Sequence, residues 1–317
     1  MVSELLVELL NQGFHFWVRD GQLKFRAPKG VMTEAIKESL RRHKTALVEQ
    51  IGEGRKLACA SYSQERLVFQ DRMNPDIPLY NMPEGVFRVR GPFDVALTKR
   101  CLETVYRRHE ALRTTFDDLN GHLIQIVHLD RELEFQHIDL QALSELEAEA
   151  ALQEQTTAAI RQPFNLKSGP LFRAIVFTLA ENDHALVLPM HHAVFDGWSM
   201  GVLLSELTTL YDSYAADGAD ILSPLPLQYP DYTRRQRQHL TEDRLRDARA
   251  FWQDHLGPQP PVLELPTDRP RPPVQSHCGA TYTTSFPSEL LAQTRSFAAA
   301  HGCTLFMPLL AAYGIVL

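Results

Sequence analysis

The first fifty residues change hydrophobic period twice. Apolar residues recur at helical spacing over residues 3–13, which predicts an amphipathic helix. From residue 14, apolar and polar residues alternate on both sides of Asp20-Gly21, a dipeptide typical of a tight hairpin turn. Helical spacing then returns over residues 33–51. The pattern predicts a helix–hairpin–helix unit over residues 1–54, joined to the rest of the chain by a linker at residues 52–56.

The predicted hairpin leaves strand edges that another chain can extend. We therefore expect a short tail of a partner protein to add a strand here. Cations on the hairpin favour an acidic tail, and salt is expected to weaken its binding. The residues predicted to contact this partner are Phe14, Phe16, Val18, Arg19, Lys24, Phe25 and Arg26. The alternative is that residues 1–54 are simply the N-terminal part of the main fold.

From residue 57 onward, strand-length apolar runs alternate with amphipathic helices. Strands and helices mixed in this way predict an α/β (α+β) fold. We place a first lobe at residues 57–220. Proline-rich extended segments follow it, and a predicted strand at 280–286 leads into two more helices, which we assign to a second lobe at residues 221–317.

The composition of the chain mainly excludes classes of function. The net charge is −7 and no basic cluster is present, which argues against nucleic-acid binding as the main role. The N-terminal segment has the pattern of neither a signal peptide nor a membrane span, so we expect no membrane partner. The four cysteines show neither metal-site nor disulfide spacing, as expected for thiols in the cytoplasm. They are Cys59, Cys101, Cys278 and Cys303.

The candidate chemistry lies in "MHHAVFDGWS", residues 190–199. This motif follows a predicted strand and precedes a predicted helix, so rigid elements can hold its side chains toward a cleft. His191 and His192 are adjacent on an extended segment and point to opposite sides, which disfavours one shared metal ion. A structural hydrogen-bonded cluster is a second interpretation. The third is acid–base or positioning catalysis, with an imidazole as proton acceptor and the Gly197 N–H facing a developing oxyanion.

The motif resembles the H-H-x-x-x-D-G signature of condensation domains of nonribosomal peptide synthetases. Five further segments resemble family motifs in the family's order: "SYSQERLVFQ" with its sequel "YNMP", "RRHEALRTTF", "PFNLKSGPLFR", "YPDYTRRQR" and "LPTDRPRP". Together the resemblance covers residues 57–317. Residues 1–54 are similar, in size and element order, to the small docking domain that opens some synthetase subunits.

This resemblance implies a two-lobed fold of the chloramphenicol acetyltransferase type, with a tunnel between the lobes. Donor and acceptor carrier proteins would approach from opposite faces, each presenting a thioester on phosphopantetheine. The downstream amine would attack the upstream thioester to form a peptide bond, and the chain itself would bind no cofactor and no metal. The docking domain would recruit the C-terminal tail of the upstream subunit.

The family's site residues carry over onto matching positions. His192, the second motif histidine, would act as a general base on the attacking amine or would position it, and His191 precedes it. Asp196 would hold the loop by pairing with an arginine, and Gly197 would allow close backbone approach to substrate. Trp198 would pack at the base of the loop or be a plain core aromatic. Arg66 and Arg113 occupy family motif positions, where surface or interlobe ion pairs are the simpler interpretation.

The family's arginine partner for Asp196 falls beyond residue 317. We therefore expect an incomplete second lobe, poor activity of the 317-residue chain alone, and a native chain that continues into adenylation and carrier domains. The first motif, with its sequel "YNMP", is more similar to condensation domains that take a donor residue of L configuration. Deleting residues 1–54 should abolish transfer from a separate upstream subunit and spare a fused donor. The alternatives are a free-standing acyltransferase that uses coenzyme A thioesters and a non-catalytic condensation-like scaffold.

Overall fold

The computed structural model describes residues 2–75, 77–260, 262–273, 275, 279–280 and 282–317. The chain forms two compact units, Met1–Arg246 and Asp247–Leu317. Its strands are β1 (His15–Arg19), β2 (Gln22–Arg26), β3 (Arg55–Cys59), β4 (Val86–Arg90), β5 (Thr114–Leu119), β6 (His122–His128), β7 (Glu134–Asp139), β8 (Arg173–Ala180) and β9 (Asp183–Val187).

The helices precede, connect and follow these strands. They are α1 (Val2–Asn11), α2 (Glu34–Arg42), α3 (Lys44–Ile51), α4 (Tyr62–Met73), α5 (Val95–Arg108), α6 (Glu145–Arg161), α7 (Gly197–Ala215), α8 (Tyr229–His239), α9 (Glu242–Leu256), α10 (Ser288–Ala300) and α11 (Phe306–Val316), with a 3-10 turn at Glu110–Arg113. Within the described ranges no helix is long and apolar enough to cross a membrane.

The predicted hairpin is present. Strands β1 and β2 pair antiparallel, with Phe16 opposite Phe25. Asp20 and Gly21 both have positive φ, 55° and 65°, as a two-residue turn requires if it is to follow the twist of the strands. The predicted second helix is divided at His43 into α2 and α3.

The hairpin does not stand alone as a two-stranded sheet. Strand β1 also pairs with β3, and the five-stranded sheet has the order β2-β1-β3-β6-β5. The prediction of a linker at residues 52–56 is therefore wrong. Gly52 and Gly54 adopt φ of 77° and 67°, which turns the chain directly into β3. The Glu53 carboxylate then accepts hydrogen bonds from the hairpin's turn amides, at 2.8 and 3.1 Å.

One hydrophobic cluster joins the N-terminal segment, residues 2–54, to the strands that follow it. Phe14, Phe16 and Val18 are at most 1% exposed and pack in the same cluster as Leu57 and Ile124. The prediction that these three residues contact a partner is therefore wrong. Alternation shows that one face of a strand is buried, but it does not say what buries that face. Here helices α1 and α3 take part in covering it.

The second sheet has the order β4-β9-β8-β7, and its strand β8 contributes to two hydrophobic clusters. Strand β8 is buried on both faces, as its apolar run from Ala174 to Phe177 indicates. Ala174 and Val176 belong to the cluster with α4, α5 and α7, whereas Ile175 and Phe177 belong to the cluster with α6. This layered arrangement fixes the end of β9, where the histidine motif begins.

Two predictions for the later part of the chain need correction. The first unit runs to Arg246, past the predicted lobe boundary at residue 220, and α8 packs against β3. Residues 280 and 282–286 do not form the predicted strand, since none of the described residues pairs with them. Within the second unit, helices α10 and α11 contact each other.

Candidate functional site

The histidine motif begins in the short loop between β9 and α7 and ends in the first turn of α7, and its backbone is fixed at both histidines. The N–H of His191 donates to the carbonyl of Leu171 at 3.0 Å, and the N–H of His192 donates to the carbonyl of Tyr80 at 2.8 Å. The two side chains consequently emerge on different sides. His191 is 1% exposed, whereas His192 is exposed. The opposite orientation expected from the sequence is present.

His192 has a defined proton position. Its Nδ1 lies 2.8 Å from the carbonyl oxygen of Phe195. A carbonyl oxygen can only accept, so Nδ1 carries the hydrogen and Nε2 of the neutral ring keeps its lone pair. An exposed imidazole held in this tautomer can accept a proton from a substrate without first reorienting.

Asp196 caps helix α7. Its Oδ1 accepts from the N–H of Ser199 at 2.8 Å and from the Ser199 hydroxyl at 2.6 Å. The Ser199 hydroxyl lowers the pKa of Asp196, opposed by burial and helped by the Ser199 N–H and by His192 nearby. Within the part of the chain that the structure describes, Asp196 contacts no arginine. Its observed contribution is to fix where the loop ends and the helix begins.

Gly197 and Trp198 open the helix and are both exposed. A Cβ placed on Gly197 would meet no heavy atom within 4 Å, so the protein itself does not require glycine there. Trp198 is 85% exposed, and its interpretation as a core aromatic is wrong. It lies nine residues, or about two and a half helical turns, before the buried Leu207, so the two side chains point to opposite sides of α7.

A mostly apolar groove of about 240 Å³ lies beside the motif, between α5 and α7. Phe195 and Trp198 line one part of it and His109 another. The His109 ring lies 2.6 Å from a carboxylate oxygen of Glu206, and the other oxygen of that carboxylate accepts from Arg108 at 2.9 Å. This ion-pair network joins the C-terminus of α5 to α7 and keeps the groove walls in place. Sequence reasoning did not single out either His109 or Glu206.

A family model for the condensation domain matches residues 55–317, well over half of the chain. This chain belongs to the condensation-domain family. A model for the TubC N-terminal docking domain matches residues 2–50 of the same chain. The family resemblance seen in the sequence is thereby confirmed for both parts.

Known proteins resemble this condensation domain over most of its length. One of the linear gramicidin synthase proteins of Brevibacillus parabrevis is 44% identical over 257 residues, which is 81% of this chain and 3% of that protein. The chain therefore spans a small part of the length of the curated relatives that it matches.

Two solved structures support the fold. The starter condensation domain of rhizomide synthetase RzmA has a TM-score of 0.57 at 20% identity, covering 64% of this chain and 48% of that one. The X-domain from teicoplanin biosynthesis has a TM-score of 0.64 at 26% identity, covering 78% and 53%. The predicted condensation-type α/β fold is confirmed.

The two arginines from family motifs occupy different settings in this condensation domain. Arg66 is exposed on α4 and makes no hydrogen bond or ion pair with another described residue. Arg113 is half-buried, and its guanidinium donates to the carbonyls of Arg107, His128 and Leu129 at 2.8–3.2 Å. The expectation of a surface or interlobe ion pair is thus wrong for Arg113, because backbone carbonyls are its partners.

The remaining residues predicted to contact a partner lie on the hairpin and differ in availability. Arg19 and Lys24 are exposed, and Phe25 is 41% exposed. Arg26 donates to Oδ1 of Asp231 on α8 at 3.1 Å. The charge of Arg26 is therefore already paired with Asp231, whereas Arg19 and Lys24 make no ion pair with another described residue.

Metal and thiol chemistry find no support among the described residues. No group of three or more histidine, cysteine, aspartate or glutamate side chains is placed to hold an ion. Burial raises the pKa of both the Cys59 and the Cys101 thiol to about 11, so both stay protonated and poorly nucleophilic at neutral pH. Cys303 is a free, half-buried thiol, and Cys278 lies outside the described residues.

Proposed function

We propose that this chain forms a peptide bond between two carrier-bound substrates of a nonribosomal peptide synthetase. The donor is a peptidyl or aminoacyl thioester on an upstream carrier protein, and the acceptor is an aminoacyl thioester on a downstream carrier. Both substrates arrive on phosphopantetheine arms of the carriers. The observation that carries the proposal is His192, which is exposed and has Nδ1 bonded to Phe195, with Nε2 left as a proton acceptor.

In this proposal the amine nitrogen of the acceptor attacks the donor carbonyl carbon. A C–N bond forms, the C–S bond breaks, and the pantetheine sulfur leaves as a thiolate. Nε2 of His192 takes the proton that the amine loses and returns it to the sulfur, so the thiol is regenerated. The N–H of Gly197 at the start of α7 offers positive potential to the oxyanion, whereas the N–H of Trp198 already donates to Asp196. Since a thioester is already activated, holding the two substrates together supplies part of the rate.

The test replaces His192 in the intact synthetase subunit, supplied with loaded donor and acceptor carriers. Intact-protein mass spectrometry follows the product on the acceptor carrier. A general base predicts that His192→Ala lowers the rate by about 10²- to 10⁴-fold, and a positioning role predicts a smaller loss. The exposed His122, replaced by Gln, is the matched control. An unchanged rate in His192→Ala would contradict both roles and favour the scaffold interpretation.

The same assay tests the acyltransferase alternative. Coenzyme A thioesters of the donor and the acceptor replace the loaded carriers. If kcat/KM with these free thioesters equals that with carriers, recognition of carrier proteins has no part in the reaction, and the proposal fails. A strong preference for carriers, removed when the carrier surface is altered, is the expected result.

We further propose that β2 receives the tail of the upstream subunit as an added strand. Strand β2 is the end strand of its sheet, so its outer edge is unpaired among the described strands. A groove of about 390 Å³ runs beside it and is lined by Leu23, Phe25 and Met32 with basic residues of α2 and α3. Arg41 on this groove makes no ion pair with another described residue. An extended tail with alternating apolar and acidic residues fits this surface.

The docking proposal is tested by charge reversal rather than by deletion, because deletion of residues 1–54 would expose the shared hydrophobic cluster. Binding of a synthetic upstream tail is measured by calorimetry at two salt concentrations. Arg41→Glu, in the groove, and Lys24→Glu, outside the groove lining but on the strand that the tail would pair with, should each weaken binding about 3- to 10-fold, and high salt should reduce the difference. Arg42→Glu is the matched control, because Arg42 pairs with Glu38 instead of lining the groove. Equal effects of all three variants would contradict the proposal.

A further inference from the structure

The buried motif histidine lies against the last turn of helix α4. Nε2 of His191 lies 3.5 Å from Oδ1 of Asp71, and the two side chains are 1% and 21% exposed. No hydrogen-bond partner of normal length reaches this buried nitrogen among the described residues. The rings of Tyr80 and Phe164 pack against the imidazole in T-shaped arrangements, with centroids 6.3 and 6.2 Å away. Asp71 is thus the group placed to accept a hydrogen bond from Nε2.

The other ring nitrogen of His191 decides which way the proton points. The backbone N–H of Ala193 lies 3.1 Å from His191 Nδ1 and can only donate. Nδ1 must therefore be unprotonated, and the hydrogen of the neutral ring sits on Nε2, which lies 3.5 Å from Oδ1 of Asp71. The two adjacent histidines thus have opposite tautomers, since the hydrogen of His192 is on Nδ1.

Helix α4 also contacts the other backbone polar group of Ala193. The carbonyl of Ala193 accepts from the side chain of Gln64 at 3.4 Å, so both polar groups of Ala193 are engaged. Farther along α4, Gln70 accepts from the hydroxyl of Tyr80 at 2.5 Å, and the backbone carbonyl of Tyr80 accepts from the His192 N–H. The helix therefore contacts the motif loop both through its first turn and through its last.

We propose that Asp71 is a positioning residue for the condensation reaction. It accepts the Nε2–H of His191, fixes the orientation of that ring and thereby holds the Ala193 N–H on Nδ1. The loop that results places the Phe195 carbonyl where it can hold His192. Asp71 touches no substrate in this scheme. Its effect on turnover passes through His191, and this kinetic consequence rests on the proposed function.

The first test reads the tautomers directly and does not depend on activity. Long-range proton–nitrogen correlation spectra of protein labelled with ¹⁵N-histidine distinguish an Nε2–H ring from an Nδ1–H ring. We expect His191 to show the Nε2–H pattern in the wild type and in Asp71→Asn, whose amide oxygen can still accept. In Asp71→Leu the pattern should be lost or should become a mixture of tautomers. An Nδ1–H ring at His191 in the wild type, or an unchanged pattern in Asp71→Leu, would overturn the inference.

The second test separates positioning from folding. Asp71→Leu should lower kcat by about 10- to 100-fold with little change in KM, because a small displacement of a catalytic loop is costly whereas carrier binding is untouched. Asp71→Asn should recover most of that loss. Arg72→Leu, an exposed neighbour on the same turn, controls for the added apolar side chain. Equal kcat in Asp71→Leu and Arg72→Leu would refute the positioning role. A wild type that makes no product would instead refute the proposed function, and the spectra alone would then test whether Asp71 orients His191.

Discussion

Acid should destabilise the first unit through His15, whose side chain on β1 is 2% exposed. Burial lowers the pKa of His15 from 6.5 to about 4. The cations Lys56, Arg234 and Arg26 lower it further, and Asp231 opposes them. Nδ1 of His15 is 4.0 Å from the nearest Asp231 oxygen, a distance at which the carboxylate offsets only part of the desolvation.

The direction of the effect follows from proton binding. The unfolded chain protonates His15 below pH 6.5, whereas the folded chain keeps it neutral down to about pH 4. The unfolded state therefore binds more protons in this window, and the free energy of unfolding falls as the pH falls through it. At about pH 4.5 the loss is about 2.5 kcal/mol, at 1.36 kcal/mol per pKa unit. Burial raises the pKa of Asp231, but hydrogen bonding and nearby cations lower it overall, so Asp231 stays ionised throughout the window.

The measurement is urea unfolding of the wild type and of His15→Gln, near neutral pH and at about pH 4.5. Fluorescence of Trp17 reports on the first unit, because it is half-buried on β1 whereas the other two tryptophans are exposed. The wild type should lose about 2.5 kcal/mol more than the variant on acidification. Some loss should persist in both proteins, because burial lowers the pKa of His128 to about 4 as well. Identical losses in His15→Gln and the wild type would refute the reasoning.

Three further outcomes are expected. Asp196→Ala should cost about 1 kcal/mol of unfolding free energy through loss of the α7 cap, and Asp196→Asn less, as urea titration will show. Arg113→Met should cost about 3 kcal/mol, because three carbonyls lose their donor; a cost below about 1 kcal/mol would mean that water replaces the guanidinium. Gly197→Ala should leave the melting temperature unchanged, since the added methyl group meets open space. If the substrate backbone passes close to Gly197, the same variant should lower turnover, and full turnover would contradict that close approach.

Sequence patterns predicted the features that depend on neighbours along the chain. Asp20-Gly21 identified the hairpin, because few dipeptides tolerate two positive φ values in succession. The predicted strand before the motif and helix after it are present as β9 and α7, and alternation on an extended segment gave the opposite orientations of His191 and His192. These features follow from the residue types and the hydrophobic spacing within a short stretch of chain.

The features that were missed depend on contacts between distant parts of the chain. Asp71 precedes His191 by 120 residues, and nothing in the sequence around either residue indicates that they meet. The same holds for Arg113, whose position in a charged motif favours an ion pair although backbone carbonyls at residues 128 and 129 are its partners. Trp198 was misjudged for a different reason, since residue type alone favours burial for an aromatic side chain whereas helix phase places it outward.

The pairing of β1 with β3 bears on how N-terminal segments can be exchanged between proteins of the condensation-domain family. An exchange of N-terminal segments at residue 51 would cut a continuous sheet, since Phe16 and Trp17 pair with Leu57 and Lys56 across the cut. A foreign segment would have to match both this pairing and the hydrophobic cluster beneath it. Chimaeras that also carry β3 from the donor move the junction to the boundary between β3 and β6, which is again paired. If the β2 groove receives the tail as proposed, substitutions on its surface would change partner choice and leave this sheet intact.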